Sequence, residues 1–262
     1  MAETAMFSVD LEPNKDDTLN GVREAMEWFN RTVPTGTVFA TYRIATELPA
    51  LLAGLSKSHE IGVHVHPREF GYDHDWLAEL SVDCQRSVID QTRTAITEAV
   101  GTEPVSFRAG RHSASRETFT VLKDIGFAVD ASINVRYDEY LSEELTKRSE
   151  PFKMEELIEV PVTYGTLPVL SRCGFRSVFE RPVTATAATL RADRWGCSGE
   201  TAVKQIAANA PICSFYMHPY DTTEYHSIEN SGREFRRRFE SLIDWLRQRD
   251  TSFASICDVD LR

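Results

Sequence analysis

The chain has 262 residues, 42% hydrophobic and 26% charged, a balance suited to a globular fold with a sizeable core. No run of about 18 apolar residues offers a membrane span. The opening MAETAMFSVDLEPN has neither a basic n-region nor a long apolar h-region, so a cytoplasmic location is expected. A net charge of −11, from 40 acidic against 29 basic residues, disfavours broad contact with nucleic acid or an anionic membrane. The five cysteines, at 84, 173, 197, 213 and 257, form no CxxC pair and argue against a disulfide framework or a cysteine-rich zinc site.

In chain order, AMFSVDL (5–11) reads as a buried strand and a helical stretch follows over about 18–32. TGTVFATY is the next strand, LPALLAGLSK a helix, and HEIGVHVH (59–66) an alternating strand with one covered face. A long helix over about 82–100 ends at Gly101. It is followed by strand PVSFRAG, a helix with Ser115 as N-cap and Gly126 at its end, and strand FAVDASI. Then come strand LIEVPVT, helix TAVKQIAANA, strand PICSFYMH, helix REFRRRFESLIDWLRQR and a last strand, SFASICDV.

This alternation predicts parallel strands joined by helical crossovers: an α/β fold, read as a (β/α) barrel of seven to eight strands in preference to an open sheet. The chain is expected to be one catalytic domain, residues 1–262, with an irregular insertion around 134–200 near the barrel mouth. That insertion carries Arg172, Arg176, Arg181, Arg191 and Arg194. Arg233 and Arg236 to Arg238 are expected on a solvated helix face.

Parallel α/β folds assemble sites at the C-terminal ends of their strands. The first strand ends in Asp10–Leu11–Glu12, where positions i and i+2 share a face. Two carboxylates there repel unless something positive lies between them. Val63–His64–Val65–His66 puts two imidazoles on one face of the third strand, and histidines beside carboxylates suit zinc or a similar divalent ion. A hydrogen-bonded histidine pair accounts for the HxH equally well. Arg108, near the end of the fourth strand, can orient a carboxylate. His218, ending FYMH, can act as an acid at neutral pH. His59, His74 and His226 have no such neighbours and are expected at the surface or in loops.

Taken together, FSVDLE, HEIGVHVH, SFRAGRHSAS, GFAVDASI and FYMHPYD resemble the polysaccharide deacetylase (NodB-homology, carbohydrate esterase 4-like) superfamily, as a divergent branch. The resemblance implies a distorted (β/α) barrel with a metal-dependent hydrolase site. Asp10 matches the catalytic base, Arg108 the arginine that holds it, and His218 the late histidine acting as acid. His64 matches the first metal histidine. Leu11 occupies the place of the usual metal-binding aspartate, so Glu12 must supply that carboxylate. Arg68 stands where the second histidine falls, four residues after His64, leaving His66 as its substitute. Asn134–Val135–Arg136–Tyr137 replaces the family's tryptophan-containing motif.

The implied reaction is hydrolysis of an N-acyl, chiefly N-acetyl, group on an amino sugar or glycan precursor. One divalent ion, zinc first and otherwise cobalt, nickel or manganese, would be held by Glu12, His64 and His66. Tyr42, Tyr220 and Asp221 are candidate sugar contacts. The insertion's arginines are read either as partners for substrate phosphates or as members of surface ion pairs. Hydrolysis of another non-peptide C–N bond, in a cyclic amide or ureide, and non-catalytic glycan binding are the alternatives.

Overall fold

The computed structural model describes residues 2–137, 139–167, 181–194 and 196–261. Arg172, Arg176 and Cys173 lie outside the described residues. The first half of the chain runs β1 (Thr4–Leu11), α1 (Val22–Thr32), β2 (Thr37–Ala40), α2 (Tyr42–Glu47), α3 (Pro49–Leu55), β3 (Glu60–Val65), α4 (Val82–Val100), β4 (Ser106–Ala109), α5 (Arg116–Asp124) and β5 (Val129–Asp130). The second half adds α6 (Glu143–Thr146), β6 (Phe152–Met154), β7 (Leu157–Glu159), β8 (Tyr164–Leu167), β9 (Arg181–Thr184), α7 (Ala187–Arg191), α8 (Gly199–Asn209), β10 (Ile212–Met217), α9 (Arg233–Arg247) and β11 (Ser252–Phe253).

The main sheet has the order β10-β1-β2-β3-β4-β5-β7-β6, with β11 also pairing β1. Every pairing in it is parallel except that of β6 with β7. The strand count matches the sequence expectation, but full closure of the barrel does not. The ladder ends at β10 on one side and at β6 on the other, leaving a curled half-barrel. Beyond β7 the chain reads VPVT, and Pro161 has no N–H to extend a ladder. The gap is spanned at Thr163, whose N–H donates to the Ser214 carbonyl at 3.1 Å and whose Oγ1 accepts from the Ser214 N–H at 2.8 Å.

The period-two alternation of the strands sorts side chains onto two faces. From β1, Ala5, Phe7, Val9 and Leu11 join the large core under the helices, while Met6 packs inward with Phe39, Val129, Ala131 and Val160. Ser8, Asp10 and Glu12 continue Met6's side towards the mouth. The outer layer is locked by aromatic contacts of Phe7 with Phe215 and Phe239, both at 5.3 Å, and of Trp28 with Phe239 at 5.2 Å. The Trp28 indole also donates to Glu240 at 2.8 Å.

Local signals place the helices. Ser81 caps α4 by accepting from the Cys84 N–H, and Gly101 ends it at φ 77°, in the left-handed region that glycine enters without strain. Ser115 and Thr118 form a capping box at the start of α5. Two expectations are corrected. His59 does lie in the loop before β3 but is buried, its ring tilted against Phe29 and hydrogen-bonded to Asn30 at 3.1 Å, because α1 covers that turn. Arg238 is buried too, bonded to Asp193, Glu234 and the carbonyls of Leu190 and Arg191; it fastens α9 to α7 instead of facing solvent.

Candidate active site

The polar ends of β1, β3, β4 and β10 meet in one open cavity of about 1060 Å³, lined by Asp10, Glu12, His64, His66 and His218 among others. The six side chains singled out in the sequence all converge there or immediately behind it.

Asp10 and Arg108 form a buried pair. Arg108 Nη1 donates to Asp10 Oδ1 at 2.6 Å and to Ser8 Oγ at 2.8 Å, while Nε donates to the Ala131 carbonyl at 3.0 Å. The guanidinium also sits over the Phe39 ring at 4.4 Å, so its plane is fixed on both edges and one face. Burial opposes the charge of Asp10, but Arg108, with the histidines around it, holds the carboxyl below its ordinary range.

Glu12, His64 and His66 bring one ligand atom each to within 4.8 Å of one another. Glu12 Oε2 lies 2.6 Å from His66 Nε2 and 3.6 Å from His64 Nε2, and the two Nε2 atoms are 3.2 Å apart. His64 Nδ1–H donates to the Arg108 carbonyl at 2.8 Å, which fixes the tautomer and leaves the Nε2 lone pair facing the cluster. On the far side of the other ring, Asp75 Oδ2 stands 3.5 Å from His66 Nδ1. Burial works against charge on His66, yet Asp75 and Glu12 outweigh it and push the imidazole up to about 10. Burial likewise opposes charge on Glu12, while the two imidazoles hold its carboxyl well below the usual range. The donor set fits a divalent ion: its lone pairs and carboxylate converge on one point where positive charge is required, by proton or by metal.

His218 faces this cluster from β10, with Nε2 3.8 Å from Glu12 Oε1 and 4.0 Å from Asp10 Oδ2. Its partner is Asp221. The His218 N–H donates to Asp221 Oδ2 at 2.8 Å, and Nδ1 lies 3.6 Å from the same atom. Arg191 meets Asp221 Oδ1 at 3.0 Å. Burial disfavours the imidazolium, but Asp221, Glu12 and Asp10 together raise the pKa of His218, so the ring holds its proton more firmly than a free imidazole. Asp221 is therefore a buried orienting group, a correction to its reading as a sugar contact, and Arg191 is committed to it. Arg194 lies near Glu229. Tyr42 and Tyr220 do line the cavity, Tyr220 stacked on His218 at 4.6 Å.

Sequence reasoning missed Asp75 and His112, and it read Arg191 as a phosphate or surface partner instead of the partner of Asp221. Arg111 and His112 are consecutive non-glycine residues at φ 54° and 55°, a strained turn costing on the order of 1–3 kcal/mol per residue. That turn sends Arg111 Nε to 3.5 Å from Asp75 and tucks His112 beneath the cavity. His112 donates from Nδ1 to the Ser132 carbonyl and accepts at Nε2 from Asn134. Burial, with the nearby Arg108 charge, drops its pKa to about 3, so it is a neutral fixture. Left-handed backbone at an Arg–His pair has no sequence signal.

The sequence model of the polysaccharide deacetylase family matches residues 15–129. The peptidoglycan deacetylase-like protein FGM2 of Gibberella zeae is 27% identical over 114 residues. That alignment covers 44% of this chain and 29% of the fungal protein, so the chain spans under a third of that relative's length. Among solved structures, a Mycobacterium smegmatis protein assigned by name to the polysaccharide deacetylases superposes with TM-score 0.61 at 15% identity, over 97% of this chain and 87% of that one. A family 4 carbohydrate esterase from Streptomyces lividans, in complex with acetate, gives 0.54 at 12% identity, over 97% and 91%. A pseudoenzyme of the same esterase family from Bacillus anthracis gives 0.54 at 13%, over 98% and 65%.

The chain resembles the polysaccharide deacetylase superfamily in both sequence and fold. The family segment contains His64, His66 and Arg108 but neither the DLE of β1 nor the histidine of β10. Within this polysaccharide deacetylase fold, Asp10, Glu12 and His218 are brought to the site by the parallel pairing of β1 with β10 and β2.

Proposed function

We propose that the protein is a metal-dependent hydrolase of a non-peptide C–N bond, removing an N-acyl group, in the first instance N-acetyl, from an amino sugar or glycan precursor. One observation carries this reading: the Asp10 carboxylate, held by buried Arg108, and the His218 ring, backed by buried Asp221, stand 4.0 Å apart beside the Glu12–His64–His66 group. That is a base and an acid with pKa values driven apart, as amide hydrolysis needs. A divalent ion held by Glu12, His64 and His66 would supply an acidified water and polarise the acyl oxygen. Asp10, oriented by Arg108, takes the proton of the attacking water. His218 gives its proton to the nitrogen as the C–N bond breaks, since an amine leaves poorly unless protonated; acetate and a free amine result. The size and openness of the cavity support a sugar chain over a small cyclic imide, which would fill little of it.

The test is acetate release from N-acetylglucosamine oligomers by the zinc-loaded protein, with cobalt, nickel and manganese forms and small imides and ureides in parallel. We expect release that stops on chelation and falls by about 10²–10⁴-fold in Asp10→Asn. Hydrolysis of the imides alone would move the protein to the other C–N substrates. A metal-loaded protein inert towards all of them would make it a non-catalytic glycan-binding relative.

A further inference from the structure

We infer that Gly110 and Asp75 are positioning residues that allow the histidine two places after His64, in place of one four places after it, to complete the metal-binding group. The inference rests on the proposed metal centre and explains how this chain builds it with arginine at position 68.

The register of β3 with β4 pairs Val63 with Phe107, His64 with Arg108 and Val65 with Ala109. The next step sets Gly110 beside His66, on the same face of the sheet. A Cβ at Gly110 would lie 2.5 Å from the Val65 carbonyl oxygen and 2.9 Å from both Cε1 and Nδ1 of His66. The first contact is with backbone and cannot be relieved by a rotamer change. Gly110 is outside the left-handed region, so glycine is required here for space and not for conformation. Any side chain at this place would drive the His66 ring off its neighbour and away from Glu12.

Asp75 acts on the same edge of the ring. Its Oδ2 faces His66 Nδ1, and Oδ1 accepts from the Arg68 N–H at 3.2 Å. The residue in the usual second-histidine place thus contributes its backbone to hold the carboxylate, while its side chain is exposed. With Nδ1 turned to Asp75 and Gly110 leaving room, Nε2 points at Glu12 and His64.

The test is zinc affinity of the full chain, measured by competition with a chromophoric chelator, with folding followed by circular dichroism. Gly110→Ala and Asp75→Asn are each expected to weaken zinc about 10–100-fold, the usual effect of disturbing a ligand's outer partner. Combining Gly110→Ala with His66→Ala should cost no more than His66→Ala alone, because both act through one ring. Should Gly110→Ala not fold, Asp75→Asn decides. A folded Gly110→Ala, or an Asp75→Asn, that binds zinc within about twofold of wild type overturns the inference while leaving the metal centre standing. A wild-type protein that binds no zinc overturns the metal centre itself, and this inference with it.

Discussion

Two pairs of buried carboxylates in this molecule are driven in opposite directions. Asp10 and Glu12, on the inward face at the mouth, are held below their ordinary pKa range. Asp130 and Glu159, register partners on β5 and β7, are raised, Glu159 well above it. Burial opposes charge in both pairs, more completely at Asp130 and Glu159 than at half-buried Glu12, and neighbours set the opposite directions. Asp10 has the Arg108 guanidinium at 2.6 Å and Glu12 has two imidazoles. Asp130 has backbone N–H groups and the Ser132 hydroxyl but no adjacent cation, and Glu159 has the Ile133 N–H and the repelling Asp130, with Arg108 contributing least. Of the two, Glu159 is driven further towards its neutral form, and its Oε2 is buried with no hydrogen-bond partner. One pair is held in its charged form; the other is pushed towards protonation and bridges two adjacent strands.

The largest effect comes from removing the cation that keeps the mouth ionised. Arg108→Met leaves Asp10 buried and unpaired, and deleting one partner of a buried pair costs about 3–5 kcal/mol. Urea unfolding at neutral pH reads this directly. The double variant with Asp10→Asn should recover part of the loss, since the stranded charge is gone. Equal costs for the single and double variants would mean that Arg108 stabilises through its Ala131 bond and its packing on Phe39, and that Asp10 owes its charge to the histidines.

Glu159 gives the converse case. A carboxyl whose folded pKa is raised contributes stability below its unfolded value, about 4.3, and loses it as pH rises through the folded one. The expected wild-type slope in that window is about 1.4 kcal/mol per pH unit for one proton. Glu159→Gln keeps an acceptor for the Ile133 N–H and offers Asp130 a donor that does not titrate. Its unfolding midpoint should therefore be flatter with pH and higher than wild type above the window. Parallel profiles would show that the pair does not share a proton.

The same contrast explains what the sequence made legible. Asp10 with Glu12 and His64 with His66 each lie two apart on a strand, so alternation alone places both on one face, and the apolar residues between them report which face is covered. Gly101 and Ser115 mark helix ends by their own chemistry. Asp75, Arg191 and Glu159 act through partners set by the tertiary path, 9, 30 and 29 residues away for His66, Asp221 and Asp130, and such distances leave no periodic trace. Asp221 was visible as a residue but not as a role: its i+3 spacing from His218 allows the backbone bond that orients the ring. Half-closure was hidden because Thr163 spans the gap with three hydrogen bonds, to Ser214 and Ile212, where the strand pattern suggested a ladder.

The smallest effect tests whether the two carboxylate pairs are independent. Ser132 touches both regions. Its Oγ donates to Asp130 Oδ1 at 2.6 Å and accepts from the Ala109 N–H at 2.9 Å, next to Arg108 in β4, while its carbonyl accepts a hydrogen bond from His112 Nδ1–H. Ser132→Ala leaves the Ala109 N–H buried without an acceptor, which costs about 1–2 kcal/mol, and withdraws a donor that favours the charged form of Asp130. Faster hydrogen exchange at Ala109 should accompany the loss. Ser132→Thr keeps the hydroxyl and should restore both bonds. If the alanine variant lowers stability but leaves the cost of Arg108→Met unchanged, the two pairs are separate devices on one sheet. If the costs fail to add, the neutral pair supports the charged one through β4.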